Sequence, residues 1–357
     1  MANPFASRAG IVVVGCAIGI MATLLQYFGN PPNMGICVAC FERDIAGALG
    51  LHRAGVVQYI RPEIVGFVIG AFLAAMLAKE YRPRGGSAPL VRFFLGVFAM
   101  IGALVFLGCP WRALLRLAGG DWNALTGLAG LATGIGVGVL FLKSGYSLGR
   151  AHPQKAASGY LFPVFMAGLF LLLVFQVTFT EGGPIFFSQK GPGSQHAPLL
   201  MSLVAGLAVG AIAQRSRFCT MGALRDVILL RDFHLMSGVA ALLVAATVMN
   251  LVLGQFNPGF AGQPIAHTDH LWNFLGMVLA GLAFVLAGGC PGRQLFLSGE
   301  GDLDAGIFAL GMIAGAGVSH NFSMASSPAG AAAFGPAGVI TGLVFCLAVG
   351  FAMRERT

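Results

Sequence analysis

The sequence predicts an all-α polytopic membrane protein of about ten transmembrane helices plus short re-entrant helices, built as two inverted-topology repeats. Three observations predict it: too little charge for a water-facing surface, apolar runs of bilayer length along the whole chain, and a motif repeated at a fixed offset. Of 357 residues, 57% are hydrophobic and only 10% charged, with a mean hydropathy of +0.83. Soluble domains carry about 25% charged residues, so lipid is the solvent expected for most of this chain. Disorder, collagen and coiled coil are excluded by the high apolar content and the lack of G-X-Y or heptad periods.

A helix needs about 20 apolar residues to cross a bilayer. Such runs lie near 9–28, 60–79, 92–108, 122–143, 160–180, 198–214, 235–254, 271–288, 303–319 and 334–353. The first is long enough to span and has no small-residue cleavage site, so it reads as a membrane helix and not as a cleaved signal peptide. The net charge of +8 comes from 21 basic residues scattered through short loops; with no dense basic block, nucleic acid is not an expected partner. Lys79, Arg82, Arg84 and Arg92 share one loop, Lys143, Arg150 and Lys155 another, and Arg354 and Arg356 end the chain. Placing these inside by the positive-inside rule lets all ten spans alternate. Both termini then fall in the cytoplasm, and 15 of the 21 basic residues lie inside.

The repeat organises these spans. Gly108-Cys109-Pro110-Trp111-Arg112 returns as Gly289-Cys290-Pro291-Gly292-Arg293, and 12 of the 30 positions from 108 to 137 are identical 181 residues later. A second element, Cys37-x5-Arg43-Asp44, returns as Cys219-x5-Arg225-Asp226. The expected division is a first inverted repeat over 1–143, a connector with one crossing helix over 144–197, a second repeat over 198–319, and a final helix and tail over 320–357. The single crossing between the repeats inverts the second. Inverted repeats build transporters whose substrate site lies near the midplane, on interrupted helices.

In each Gly-Cys-Pro motif the glycine permits a backbone turn and the proline suits a first helical position. Cys109 and Cys290 then sit at the starts of new short helices, where the positive end of the helix dipole favours thiolate and attracts anions. Arg112 and Arg293 follow one turn later and read as anion-attracting groups. A soft sulfur and a guanidinium together suit a small anion carrying sulfur or selenium. Cys16 and Cys346, mid-run and unmatched by the repeat, read as packing residues. Cys40 makes a Cys37-x2-Cys40 spacing, but without a second pair it reads as a loop bystander, and no metal or cofactor is expected. Arg43 with Asp44 and Arg225 with Asp226 read as structural ion pairs or caps, Asp121 and Asp302 as helix caps, and His196, His267, His270 and His320 as surface histidines.

These residues carry a family resemblance. The run Gly29-Asn30-Pro31-Pro32-Asn33-Met34-Gly35-Ile36-Cys37-Val38-Ala39-Cys40-Phe41-Glu42-Arg43-Asp44, the later Gln58-Tyr59-Ile60-Arg61-Pro62-Glu63 and the two Gly-Cys-Pro-x-Arg motifs resemble the YeeE/YedE sulfur-transport family, and more narrowly its selenium-associated YedE branch. The resemblance extends from about Gly10 to Gly350. It implies an hourglass-like inner-membrane protein that passes a thiosulfate-like ion along cysteines near the constriction, which by motif are Cys37, Cys109 and Cys290. Cys219 joins them through the internal repeat. The expected function is therefore an inner-membrane uptake transporter or channel, not an enzyme, for a small sulfur- or selenium-containing anion. A cytosolic sulfur or selenium carrier protein is the expected partner beside the lipid bilayer. The alternative is a membrane thiol enzyme that reduces or transfers the sulfur or selenium atom.

Overall fold

The computed structural model describes residues 3–177 and 185–354. The C-terminal end of the expected run 160–180, and Arg356, lie outside the described residues. The chain is an all-α polytopic membrane protein. In order, its helices are α1 (Arg8–Tyr27), α2 (Val38–Ala48), α3 (Pro62–Leu77), α4 (Pro89–Phe106), α5 (Pro110–Ala118), α6 (Asn123–Lys143), α7 (Ala156–Gly159), α8 (Leu161–Val174), α9 (Leu199–Ser216), α10 (Thr220–Leu230), α11 (His234–Val252), α12 (His270–Ala287), α13 (Pro291–Gly299), α14 (Leu303–Asn321) and α15 (Gly335–Ala352). Each of the ten expected runs corresponds to a helix. Among the described residues, nine are long and apolar enough to cross a membrane, some together with an adjoining short helix, whereas α3, at 16 residues, is shorter. Large apolar side chains such as Leu77, Leu200, Val252 and Phe351 point outward and exposed, a surface that only lipid makes favourable.

The helices are laid against one another in crossed pairs. α1 runs along α11 and α3 along α9, while α4 runs along α14 and α12 along α6. Each pair joins a helix before residue 144 to one after 197. Glycine sets the closeness of these crossings: a Cβ at Gly66 would stand 2.7 Å from the backbone of Gly206, and one at Gly102 or Gly276 would meet the other's carbonyl. Lipid tails are as apolar as the helices, so such close backbone packing replaces the hydrophobic drive of water.

Contacts between loops divide the molecule into two ends. At one, Asn3 bonds the Arg215 carbonyl, Arg82 and Arg84 donate backbone bonds to Glu300 and Gly301, and Ser147 bonds Met353. A two-residue ladder, β1 (Arg84–Gly85) on β2 (His152–Pro153), lies there as well. At the other end, Asn257 and Gly259 bond Gly119 and Gly120, Ser188 bonds Gln58, and Asn321 bonds the Leu51 carbonyl. The loops rich in Lys and Arg thus gather with both ends of the described chain.

Two local expectations are corrected. The turn before α5 is made not by Gly108 but by Leu107, which takes the left-handed conformation at φ 63°, while before α13 Gly288 takes it at φ 85°. The motif glycines serve a different purpose: a Cβ at Gly108 would come within 2.9 Å of the Arg112 side chain, and one at Gly289 within 3.3 Å of Arg293. They make room for the motif arginines. His267 is not a surface residue; it is buried, its Nε2 bonded at 2.8 Å to the Val105 carbonyl, and burial holds the imidazole below its usual pKa. His320 lies against His52, ring centroids 4.3 Å apart, and His196 stacks on Tyr59 at 4.5 Å.

Candidate functional site

Four cysteines begin four short helices. Cys37, Cys109, Cys219 and Cys290 are the residues immediately preceding α2, α5, α10 and α13. At α2 and α10 the sulfur itself caps the helix, accepting from the Cys40 amide at 3.3 Å and the Gly222 amide at 3.2 Å. At α5 and α13 proline occupies the first turn, needs no acceptor, and leaves the thiol uncommitted as a cap. The structure then brings these cysteines together in pairs that the sequence does not pair: Cys37 Sγ lies 3.8 Å from Cys109 Sγ, and Cys219 is adjacent to Cys290. All four are buried. A helix start supplies partial positive charge, so each pair is a small, soft-lined place where an anion carrying sulfur would be stabilised.

Aromatic rings link the segments that carry the two pairs. Trp111, two residues after Cys109, meets Phe218, the neighbour of Cys219, edge-on at 5.7 Å, and Phe67 and Phe296 complete the cluster at 5.9 and 6.2 Å from the indole. Gly292 stands where the repeat would place a second tryptophan, and a Cβ there would already be 3.4 Å from the Trp111 ring. One indole therefore fills space that two could not share. Trp111 Nε1 is buried and has no partner among the described residues, and burying such a donor without a partner costs about 1–3 kcal/mol. Trp111 escaped the sequence reading, since its difference from Gly292 marks only a mismatch in the repeat.

The motif arginines are not equivalent. Arg112 is fully buried, and its guanidinium donates to the carbonyls of Asn33 at 3.2 Å, Leu107, and Ile265 at 2.9 Å, with Cys40 Sγ at 3.6 Å. No carboxylate neutralises it among the described residues, so it contributes a full positive charge beside the Cys37–Cys109 pair. Arg293 instead pairs with Glu300 at 3.3 Å. Cys40 is buried inside α2 and faces Arg112; it is no loop residue.

Asp44 bridges Arg43 and Arg61, each at 2.7 Å. Arg225 and Asp226 pair at 2.8 Å, both partly exposed. Asp121 pairs with Arg116 at 2.6 Å and accepts from the Asn123 amide; Asp302 caps α14 through the Ala305 amide and pairs with Arg84 at 2.8 Å. Glu42 went unremarked in the sequence. It is fully buried, and neither carboxylate oxygen has a partner among the described residues.

Residues 215–349 match the sulphur transport family. The match covers Cys219, Cys290 and Arg293, while Cys37, Cys109 and Arg112 lie before it. Over 104 residues the chain is 31% identical to "Thiosulfate transporter TsuA" of Escherichia coli (strain K12), covering 29% of each protein. Over 108 residues it is 32% identical to the protein of that name from Spirochaeta thermophila (strain ATCC 700085 / DSM 6578 / Z-1203), covering 30% of this chain and 32% of the relative. The similarity thus spans less than a third of either relative.

Proposed function

We propose that this protein belongs to the sulphur transport family over its whole length and moves a small sulfur-containing oxyanion of the thiosulfate type inward across the inner membrane. The observation that carries the reading is the seating of two buried thiol pairs at the starts of short helices, whose flanking residues Trp111 and Phe218 meet in an aromatic cluster. A thiol is a weak hydrogen-bond donor with a polarisable sulfur, suited to the terminal sulfur of such an anion, and the helix starts offset the cost of bringing its charge into low dielectric. On this reading an anion passing from one pair to the other crosses the cluster around Trp111, and no bond is made or broken. Selenium-containing anions of similar charge and softness fit the same groups, and a cytosolic sulfur or selenium carrier protein would receive the cargo.

The exchanged packing, α1 on α11 where α9 lies on α3 and α4 on α14 where α12 lies on α6, supports two inverted halves over 1–143 and 198–319. On this reading the end that holds the basic loops is cytoplasmic. A cysteine engineered into the 255–270 loop should react with an impermeant thiol reagent in intact cells and one at 143–155 should not; labelling of the latter would reverse the orientation.

The test of function is uptake. Liposomes containing the purified chain should accumulate sulfur-labelled thiosulfate, with selenosulfate and selenite as competitors, and the label should be recovered chemically unchanged. Release of sulfite or sulfide without accumulation would replace transport with the thiol-enzyme alternative, in which one motif would be essential and the other dispensable.

A further inference from the structure

At the end that gathers the basic loops, a cavity of about 370 Å³ is lined by Glu80, Arg82, Arg84, Arg217 and Glu300. Its volume falls within the range of small-ligand clefts, about 300–1,000 Å³. Four guanidinium groups reach three carboxylates there, and a fifth, that of Arg82, lines the cavity. Arg215 holds Glu80 at 2.9 Å and Arg217 reaches it at 3.3 Å; Arg84 holds Asp302 at 2.8 Å. Glu300 is shared by Arg293, Arg84 and Arg217 at 3.3, 3.6 and 3.7 Å. Charge-assisted hydrogen bonds close to about 2.7–2.9 Å when a carboxylate is fully engaged. One carboxylate cannot close on three arginines at once, and Arg82 makes no ion pair among the described residues, so the basin keeps an excess of positive charge and of unspent planar donors. Burial works to raise the pKa of the Glu80 carboxyl, but the Gln214 amide and Arg215 outweigh it and hold the group ionised.

We propose that this basin binds a small divalent oxyanion, which takes over the donors of Arg84 and Arg217 that now reach toward Glu300 and Glu80. Two oxygens on one centre match the planar guanidinium fork, which a single shared carboxylate oxygen does not. The basin also touches the transport route, because Arg293, three residues after Cys290, donates to the Glu300 carboxylate that forms its wall. An anion leaving Cys290 would meet Arg293 first and the open basin next, with Glu300 passing from one arginine to another as the anion arrives. That place on the route rests on the transport reading above; binding in the basin does not.

The experiment measures thiosulfate and sulfate binding to the purified full chain in detergent by titration calorimetry, at constant ionic strength held with chloride. The expected result is saturable binding, weakened about tenfold by Arg217→Gln, which removes one charge-assisted contact. Arg82→Gln, at an exposed and unpaired position, should weaken it less. Glu80→Gln should tighten it by freeing Arg217, an effect that a merely structural role would not produce. Binding should persist in the Cys109→Ala/Cys290→Ala double variant, whose transport is expected to be lost, so that failure of the relay and failure of the basin are separately visible. The proposal is overturned if Arg217→Gln and Arg82→Gln bind as the parent does, or if binding disappears with the two cysteines.

Discussion

Replacing Cys109 or Cys290 by alanine is expected to reduce thiosulfate uptake to the level of empty liposomes. Both side chains are buried, at 1% and 0% exposure, and each substitution removes a single sulfur atom, a packing loss on the order of 1 kcal/mol. The protein should therefore insert and elute as the parent does, and the loss can be assigned to chemistry. Cys109→Ala also strips Cys37 of its 3.8 Å neighbour, leaving one thiol where the anion would meet two. Serine should restore little, because a hydroxyl is a harder, less polarisable group. Uptake retained in either alanine variant would return these cysteines to packing and end the relay.

The second large effect concerns Asp44, whose two oxygens separately hold Arg43 and Arg61, with all three side chains nearly or wholly buried. Arg61 further donates to the carbonyls of Gln195 and Pro192 and lies over the rings of Phe41 and Tyr59, so this carboxylate ties α2, the start of α3 and the segment before α9 together. Removing one member of a buried ionic group costs about 3–5 kcal/mol, since the remaining charges stay buried and uncompensated. Asp44→Ala should accordingly lower the midpoint of thermal unfolding in detergent sharply and reduce the yield of folded protein. The repeat-related change Asp226→Ala supplies the control: that pair is 32% and 16% exposed, and exposed pairs contribute about 0–1 kcal/mol. Equal stability losses in the two variants would refute the assignment of Asp44 as a buried bridge.

The contrast between Asp44 and Asp226 marks where sequence reasoning stops. Fold class, the ten helical runs and the breaks at Cys109-Pro110 and Cys290-Pro291 were legible because they depend on signals local in the chain: apolar length against bilayer thickness, and a proline that opens a helix. The fixed offset of 181 residues exposed matching elements without saying where either would lie. Tertiary structure alone decided that Cys37 meets Cys109 across 72 residues, that Arg61 joins Arg43 on Asp44, and that Arg112 is spent on backbone carbonyls while Arg293 shares Glu300. It also buried His267 and assembled a basin from three separate segments, around Glu80 and Arg84, Arg217, and Glu300. The physical reason is that apolar periodicity states how much of a helix is buried, whereas the rotation and crossing of one helix on another, set here by glycines such as Gly66 against Gly206, select which polar side chain faces which. Two segments with the same Cys-x5-Arg-Asp spacing can therefore hold a sealed ionic bridge in one half of the chain and a partly exposed pair in the other.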